Sequence, residues 1–203
     1  FLGFPGTMGA NYIDYIISDH TVIPDKFKEF YNEKIIRLPH TYMPTDNERI
    51  ISDKLITRKD MGLPQKGIVL CCFNNSYKIS HFEFDIWMRV LSKIEESVLW
   101  LKIDNNATAR ENLRNAAIKR GVDPSRIIFA EYLPMETHLA RYALADIFLD
   151  TFNYNAHTTA CDALWAGTPI VTKLGKSFVS RVAGSLLTAI DMPELITNSE
   201  LEY

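Results

Sequence analysis

From Gly67 onward, short apolar runs alternate with amphipathic stretches in a regular order. Ile68-Val69-Leu70-Cys71-Cys72 has the length and character of a buried strand. Phe82, Ile86, Val90, Leu91 and Ile94 then recur at three- and four-residue spacing, the period of a helix with one apolar face. Val98 to Ile103 predicts a second strand. Thr108 with Glu111 makes a capping box for a helix running to Arg120 and stopping at Gly121. Ile127-Ile128-Phe129 is the third strand, followed by a helix from Met135 to Leu144. Ile147-Phe148-Leu149 is the fourth, with a helix over Thr158 to Ala166 ended by Gly167. Pro169 to Thr172 is the fifth, and a last helix covers Val179 to Ala189. Five consecutive βα units with short loops predict a parallel, doubly wound α/β sheet, because right-handed crossovers place helices on both faces.

Residues 1–43 follow a different pattern. Gly3-Phe4-Pro5-Gly6-Thr7-Met8-Gly9 has the composition of a sharply turning loop. Tyr15-Ile16-Ile17 reads as a short strand, Asp25 to Tyr31 as a polar helix, and Lys34 to Leu38 as another strand. Residues 44–66 are polar, charged and contain two prolines, which predicts a connection with one short helix near Ile50 to Lys59. The expected organisation is 1–43 as the tail of one lobe, 44–66 as the inter-lobe connection and 67–203 as a second lobe. Leu195 to Tyr203 reads as the start of a further helix, and Phe1 is not a start methionine, so the chain is expected to be a fragment.

Composition adds exclusions. Of 203 residues, 47% are hydrophobic and 23% charged, which is globular rather than disordered composition. No apolar run approaches the ~18 residues needed to span a bilayer. A net charge of -3 with well-mixed signs gives no footprint for nucleic acid or an anionic membrane. Cys71, Cys72 and Cys161 have neither zinc spacing nor a disulfide pattern, so reduced thiols in a cytoplasmic protein are expected.

The chemistry concentrates after the fourth strand. His157-Thr158-Thr159 stands where a helix begins, and a helix N-terminus presents unpaired backbone N–H groups and the positive end of a dipole. Asp162 lies one turn deeper than Thr158 on about the same face, able to accept from sugar hydroxyls. In a doubly wound sheet, ligands bind beyond the carboxyl ends of the strands. Asn74-Asn75-Ser76 and Lys78 follow the first strand, and His138 with Arg141 follows the third, so these groups are expected to converge with His157 on one crevice. No Gly-x-x-x-x-Gly-Lys and no Gly-x-Gly-x-x-Gly follows a strand, and no carboxylate cluster suits a divalent metal. A nucleoside diphosphate held by a helix end and a lysine, without metal or other cofactor, suits glycosyl transfer, in which charge develops on the departing diphosphate.

Gly-Phe-Pro-Gly-Thr at 3–7, Pro39-His40-Thr41, Phe73-Asn74-Asn75 with Tyr77-Lys78-Ile79, and His157-Thr158-Thr159 through Trp165-Ala166-Gly167-Thr168-Pro169 together resemble the catalytic region of the O-linked N-acetylglucosamine transferases and their Spindly-type relatives. The resemblance implies the two-lobed GT-B fold, with 67–203 as most of the C-terminal, donor-binding lobe. It implies that Lys78 contacts the donor diphosphate and supports the leaving group, and that His157, Thr158 and Thr159 bind the phosphates. By the same resemblance Asp162 holds the ribose, His138 and Arg141 lie by the nucleobase, Asn75 replaces a glutamine of the animal enzymes, and Gly6 and Thr7 line the sugar side. Met135 departs from an animal lysine near the base, and 44–66 is too short for the domain inserted there in animals, as in bacterial-type or Spindly-like members. The family's catalytic histidines and its acceptor-recruiting tetratricopeptide repeats would lie before Phe1, so these residues alone are expected to be inactive.

The resulting expectation is an inverting, metal-independent transfer of N-acetylglucosamine from UDP-N-acetylglucosamine to Ser or Thr hydroxyls of cytoplasmic proteins. The alternatives are fucose transfer from a GDP donor, as in Spindly-like relatives, and a non-catalytic nucleotide-sugar-binding scaffold. A sugar-nucleotide epimerase fits the motifs less well.

Overall fold

Two parallel sheets carry the fold of the computed structural model, which describes residues 4–103 and 106–203. Gly3, one glycine of the first loop, lies outside the described residues. The small sheet pairs β1 (Tyr15–Ser18) with β2 (Lys34–Arg37). The large sheet comprises β3 (Ile68–Cys72), β4 (Ser97–Lys102), β5 (Ile127–Ala130), β6 (Ile147–Leu149), β7 (Ile170–Lys173) and β8 (Ile196–Thr197). Its order is β5-β4-β3-β6-β7-β8, with every pair parallel. The helices are α1 (His81–Lys93), α2 (Ala107–Ile118), α3 (Met135–Ala140), α4 (Thr158–Trp165) and α5 (Val182–Ala189). β3 and β4 are buried over nearly their whole length, which is why they read as continuous apolar runs rather than alternating ones. The chain leaves β3 in one direction and returns through β6 to run in the other, so the loops after β3 and β6 diverge and open a crevice between them.

The strand expectations hold to within about two residues, a normal uncertainty of element ends. Several helical expectations change. Residues 50–59 form no helix: Ile50 and Leu55 are exposed with no core to pack on, and the segment is held by polar contacts instead. α2 is capped by Asn106, whose side chain accepts from the Ala109 N–H at 2.9 Å, and not by a Thr108–Glu111 box. On α1 the expected Ile86 and Leu91 are buried, joined by Phe84, Trp87 and Met88, while Phe82 faces solvent. Ser80 starts that helix by giving both its backbone N–H and its hydroxyl to the Glu83 carboxylate. Asp25–Phe30 is a 3-10 helix, and the helix expected to Leu144 continues past Ala140 as a 3-10 turn.

The C-terminal segment departs most. In place of a helix it adds β8 to the sheet edge and then folds back. The Tyr203 hydroxyl accepts from Trp87 Nε1 at 3.1 Å and donates to the Asp150 carbonyl at 2.9 Å, so α1 and the end of β6 are tied together.

Candidate nucleotide-diphosphate site

The crevice at the switch between β3 and β6 has a volume of about 460 Å³. Its base is built on Asp150, the residue after β6, which is fully buried. Asp150 Oδ1 accepts from the backbone N–H of Thr151 at 2.8 Å and of Ala156 at 2.6 Å, and Oδ2 accepts from Thr172 Oγ1 at 2.7 Å. Asn74, just past β3, donates to Asp150 Oδ1 at 3.3 Å and to Thr151 Oγ1 at 2.8 Å. Loop 150–156 is thus wrapped around a carboxylate and delivers His157 to the N-terminus of α4. Burial pushes the Asp150 carboxyl up to about 7, against the opposing pull of its hydrogen bonds and of Lys78.

Lys78 ends the 3-10 turn that follows β3. Its Nζ donates to the Asn155 carbonyl at 3.0 Å and lies 4.1 Å from the centroid of the Tyr154 ring. Burial lowers its pKa, with the charge of Asp150 working the other way. The His157 ring stacks on Tyr154 at 4.8 Å. Burial, and then the charge of Lys78, lower the His157 pKa to about 4, so its imidazole is neutral near pH 7. The first intrahelical bond of α4 runs from the Ala160 N–H to the His157 carbonyl, so the N–H groups of Thr158 and Thr159 precede the helical ladder. Thr158 is exposed to the crevice. Thr159 differs: its hydroxyl donates to Asn74 Oδ1 at 2.5 Å, so its one proton is already used. His157 Nε2 likewise lies 3.4 Å from the Val179 carbonyl, so two of the three side chains at this helix start, His157 and Thr159, have partners within the fold.

On the other wall, His138 packs against the rings of Phe73 and Tyr142. Burial, followed by the charges of Arg141 and Lys102, lowers its pKa to about 3. Arg141 is fully buried, with its guanidinium 4.7 Å from the Phe73 ring centroid and Nη1 donating to the Glu131 carbonyl at 2.6 Å. Its Nε and Nη2 have no hydrogen-bond partner among the described residues, leaving two buried donors beneath the crevice. Burial lowers the Arg141 pKa to about 10, which leaves it charged. Asp162 lines the crevice one turn into α4 and forms an ion pair with Arg49. Burial raises its carboxyl pKa and Arg49 opposes that shift.

Lys78, Asn75, His138, Arg141, His157, Thr158, Thr159 and Asp162 therefore surround one crevice, together with Lys102, Tyr132 and Tyr154. Gly6 and Thr7 do not line it. They line a separate hollow with Phe27, Phe30 and Lys176, and Thr7 Oγ1 donates to Glu33 at 2.7 Å. Sequence reasoning missed Arg49 and the bracing role of Asn74. Arg49 sits in a stretch without periodicity, so no pattern marks it, and Asn74 was legible only as one of several amides in a polar loop. Among the described residues no group of three His, Cys, Asp or Glu is placed to share a metal ion.

The family model of glycosyl transferase family 41 matches residues 1–56 and 44–203. The chain belongs to glycosyl transferase family 41. The probable UDP-N-acetylglucosamine–peptide N-acetylglucosaminyltransferase SEC of Arabidopsis thaliana is 38% identical over all of the chain, which corresponds to 21% of that protein. The UDP-N-acetylglucosamine–peptide N-acetylglucosaminyltransferase of Caenorhabditis elegans is 41% identical over 81% of the chain and 14% of its own length. A solved structure of a mutant Thermobaculum terrenum O-GlcNAc transferase superposes over the whole chain with a TM-score of 0.86 at 28% identity, covering 38% of that protein. This family 41 chain thus has the GT-B glycosyltransferase fold and spans about a fifth of the length of SEC.

Proposed function

We propose that the protein containing this chain transfers N-acetylglucosamine from UDP-N-acetylglucosamine to Ser or Thr hydroxyls of proteins, with inversion and without a metal ion. The observation that carries this reading is the convergence, at one switch-point crevice, of Lys78 with the N-terminus of α4. In this reading the donor diphosphate lies against the N–H groups of Thr158 and Thr159, the Thr158 hydroxyl and His157. The half-buried Lys78 ammonium neutralises the charge that builds on the diphosphate as the sugar departs. A fixed cation in a water-poor site needs little reorganisation, so it favours the transition state over the ground state. Asp162 accepts from the ribose, and the two unpartnered N–H donors of Arg141, with His138, meet the base edge. The donor and acceptor classes are supported by the names of the Arabidopsis and Caenorhabditis relatives, each of which specifies UDP-N-acetylglucosamine and a peptide. A cytoplasmic setting is supported by three buried cysteines without disulfides.

The test is transfer of labelled sugar from UDP-N-acetylglucosamine to a Ser/Thr-containing peptide library by the full-length protein. Transfer is expected, and Lys78→Ala is expected to lower kcat by roughly a hundredfold or more, the scale of losing one transition-state charge stabiliser. Transfer from GDP-fucose alone would move the donor to the Spindly-like class, and an unchanged kcat in the variant would remove Lys78 from the mechanism.

A further inference from the structure

The connection between the two sheets carries neither helix nor strand over residues 44–66, yet it is fastened to both helices that flank the crevice. At α4, the Arg49 guanidinium pairs with Asp162 and reaches the Cys161 carbonyl at 3.4 Å. The Arg49 carbonyl accepts from Trp165 Nε1 at 3.1 Å, and the guanidinium lies 5.9 Å from the Trp165 ring centroid. At α3, the Ser52 N–H donates to the Glu136 carbonyl at 3.1 Å. The connection therefore runs from one wall of the crevice to the other, with Arg49 as its anchor.

The pair is largely withdrawn from water, with side-chain exposures of 18% for Arg49 and 9% for Asp162. A carboxylate in such a place needs a partner to remain an anion, and breaking the pair leaves an uncompensated buried charge. A carboxylate also has about four lone-pair sites on two oxygens, so one bond to Oδ1 leaves capacity for ligand hydroxyls. Arg49 Nε is buried with no partner among the described residues, so the guanidinium also keeps an unspent donor. The arrangement is that of a fixed acceptor held from behind.

We infer that Arg49, a residue of the inter-lobe connection, is a positioning residue for ribose recognition: it holds Asp162 as an oriented anion, and the preference for a ribonucleotide depends on it. The inference rests on the proposal that the crevice takes a nucleoside diphosphate.

The experiment compares binding of UDP and of 2′,3′-dideoxyuridine diphosphate to the full-length protein and to Arg49→Met, which keeps an unbranched apolar stem. The unsubstituted protein is expected to favour UDP by about tenfold or more, the scale of a hydrogen bond to a charged group. In R49M that ratio is expected to collapse towards one, while affinity for the dideoxy ligand stays within about twofold. R49K, which keeps the charge but loses the planar fork, is expected to fall between them, and it carries the test if R49M does not fold. A purely structural role would weaken both ligands equally, and a plugging role would tighten UDP in R49M; either result would overturn the inference, as would an unchanged ratio. Failure of the unsubstituted protein to bind UDP at all would overturn the underlying reading of the crevice, and this inference with it.

Discussion

At the scale of single residues, Thr158 and Thr159 look equivalent in the sequence and are not equivalent in the fold. Thr158 keeps its hydroxyl at the crevice, whereas Thr159 donates to Asn74, which in turn braces Asp150 and Thr151. Thr158→Val is expected to weaken UDP binding by several-fold with little change in stability. Thr159→Val leaves the buried Asn74 carbonyl unpaired, so it is expected to cost about 1–3 kcal/mol of stability and to affect UDP mainly through the backbone it supports. Isothermal titration beside denaturant unfolding separates the two, and equal effects on both readouts would contradict the assignment. Adjacency to a helix start was legible in the sequence. The direction of each hydroxyl was not, because it is decided by Asn74, more than eighty residues away in the chain.

At the scale of elements, the last turn of α3 and the start of α4 each hold a neutral imidazole. His138 and His157 have folded pKa values near 3 and 4, against about 6.5 for an unperturbed histidine. Between those limits the unfolded chain binds more protons than the folded one. Their contribution is therefore full above about pH 6.5 and is lost as the pH falls towards 4. Asp150 works in the opposite sense, since its folded pKa of about 7 is raised above the usual aspartate value. The comparison must therefore be made against a histidine variant. Relative to the unsubstituted protein, His157→Gln is expected to gain stability progressively from pH 7 to pH 4.5 in urea unfolding, and two parallel curves would refute the shift. The β-strands were legible because burial on both faces writes them as apolar runs. The helix near Ile50 was misread because a polar segment can be ordered by distant side chains with no periodicity of its own. The capping of α2 was misread because Asn106 competes with Thr108 and takes the position.

At the scale of the whole molecule, five βα units imply a parallel sheet, and the rule for such sheets places ligands at the carboxyl ends of strands. That much, with the convergence of Lys78, His138, Arg141, His157 and Asp162, could be reasoned from the chain. The order β5-β4-β3-β6-β7-β8 could not, because spacing alone does not say on which side of β3 the chain returns. Nor could the sixth strand be read: β8 is two residues long, too short to leave a pattern. Tyr203 shows the same limit, since its bonds to Trp87 and Asp150 join segments that only the assembled fold brings together.

The central claim is that the switch-point crevice is a nucleotide-diphosphate site with Lys78 on the phosphates. Calorimetric titration of UDP and GDP into the full-length protein, repeated with Lys78→Ala, tests it most directly. The account predicts saturable binding that favours UDP and is weakened about tenfold or more in the variant, as expected for loss of a charge-assisted contact. UDP binding that is indifferent to Lys78, or a folded protein that binds neither nucleotide, would contradict it.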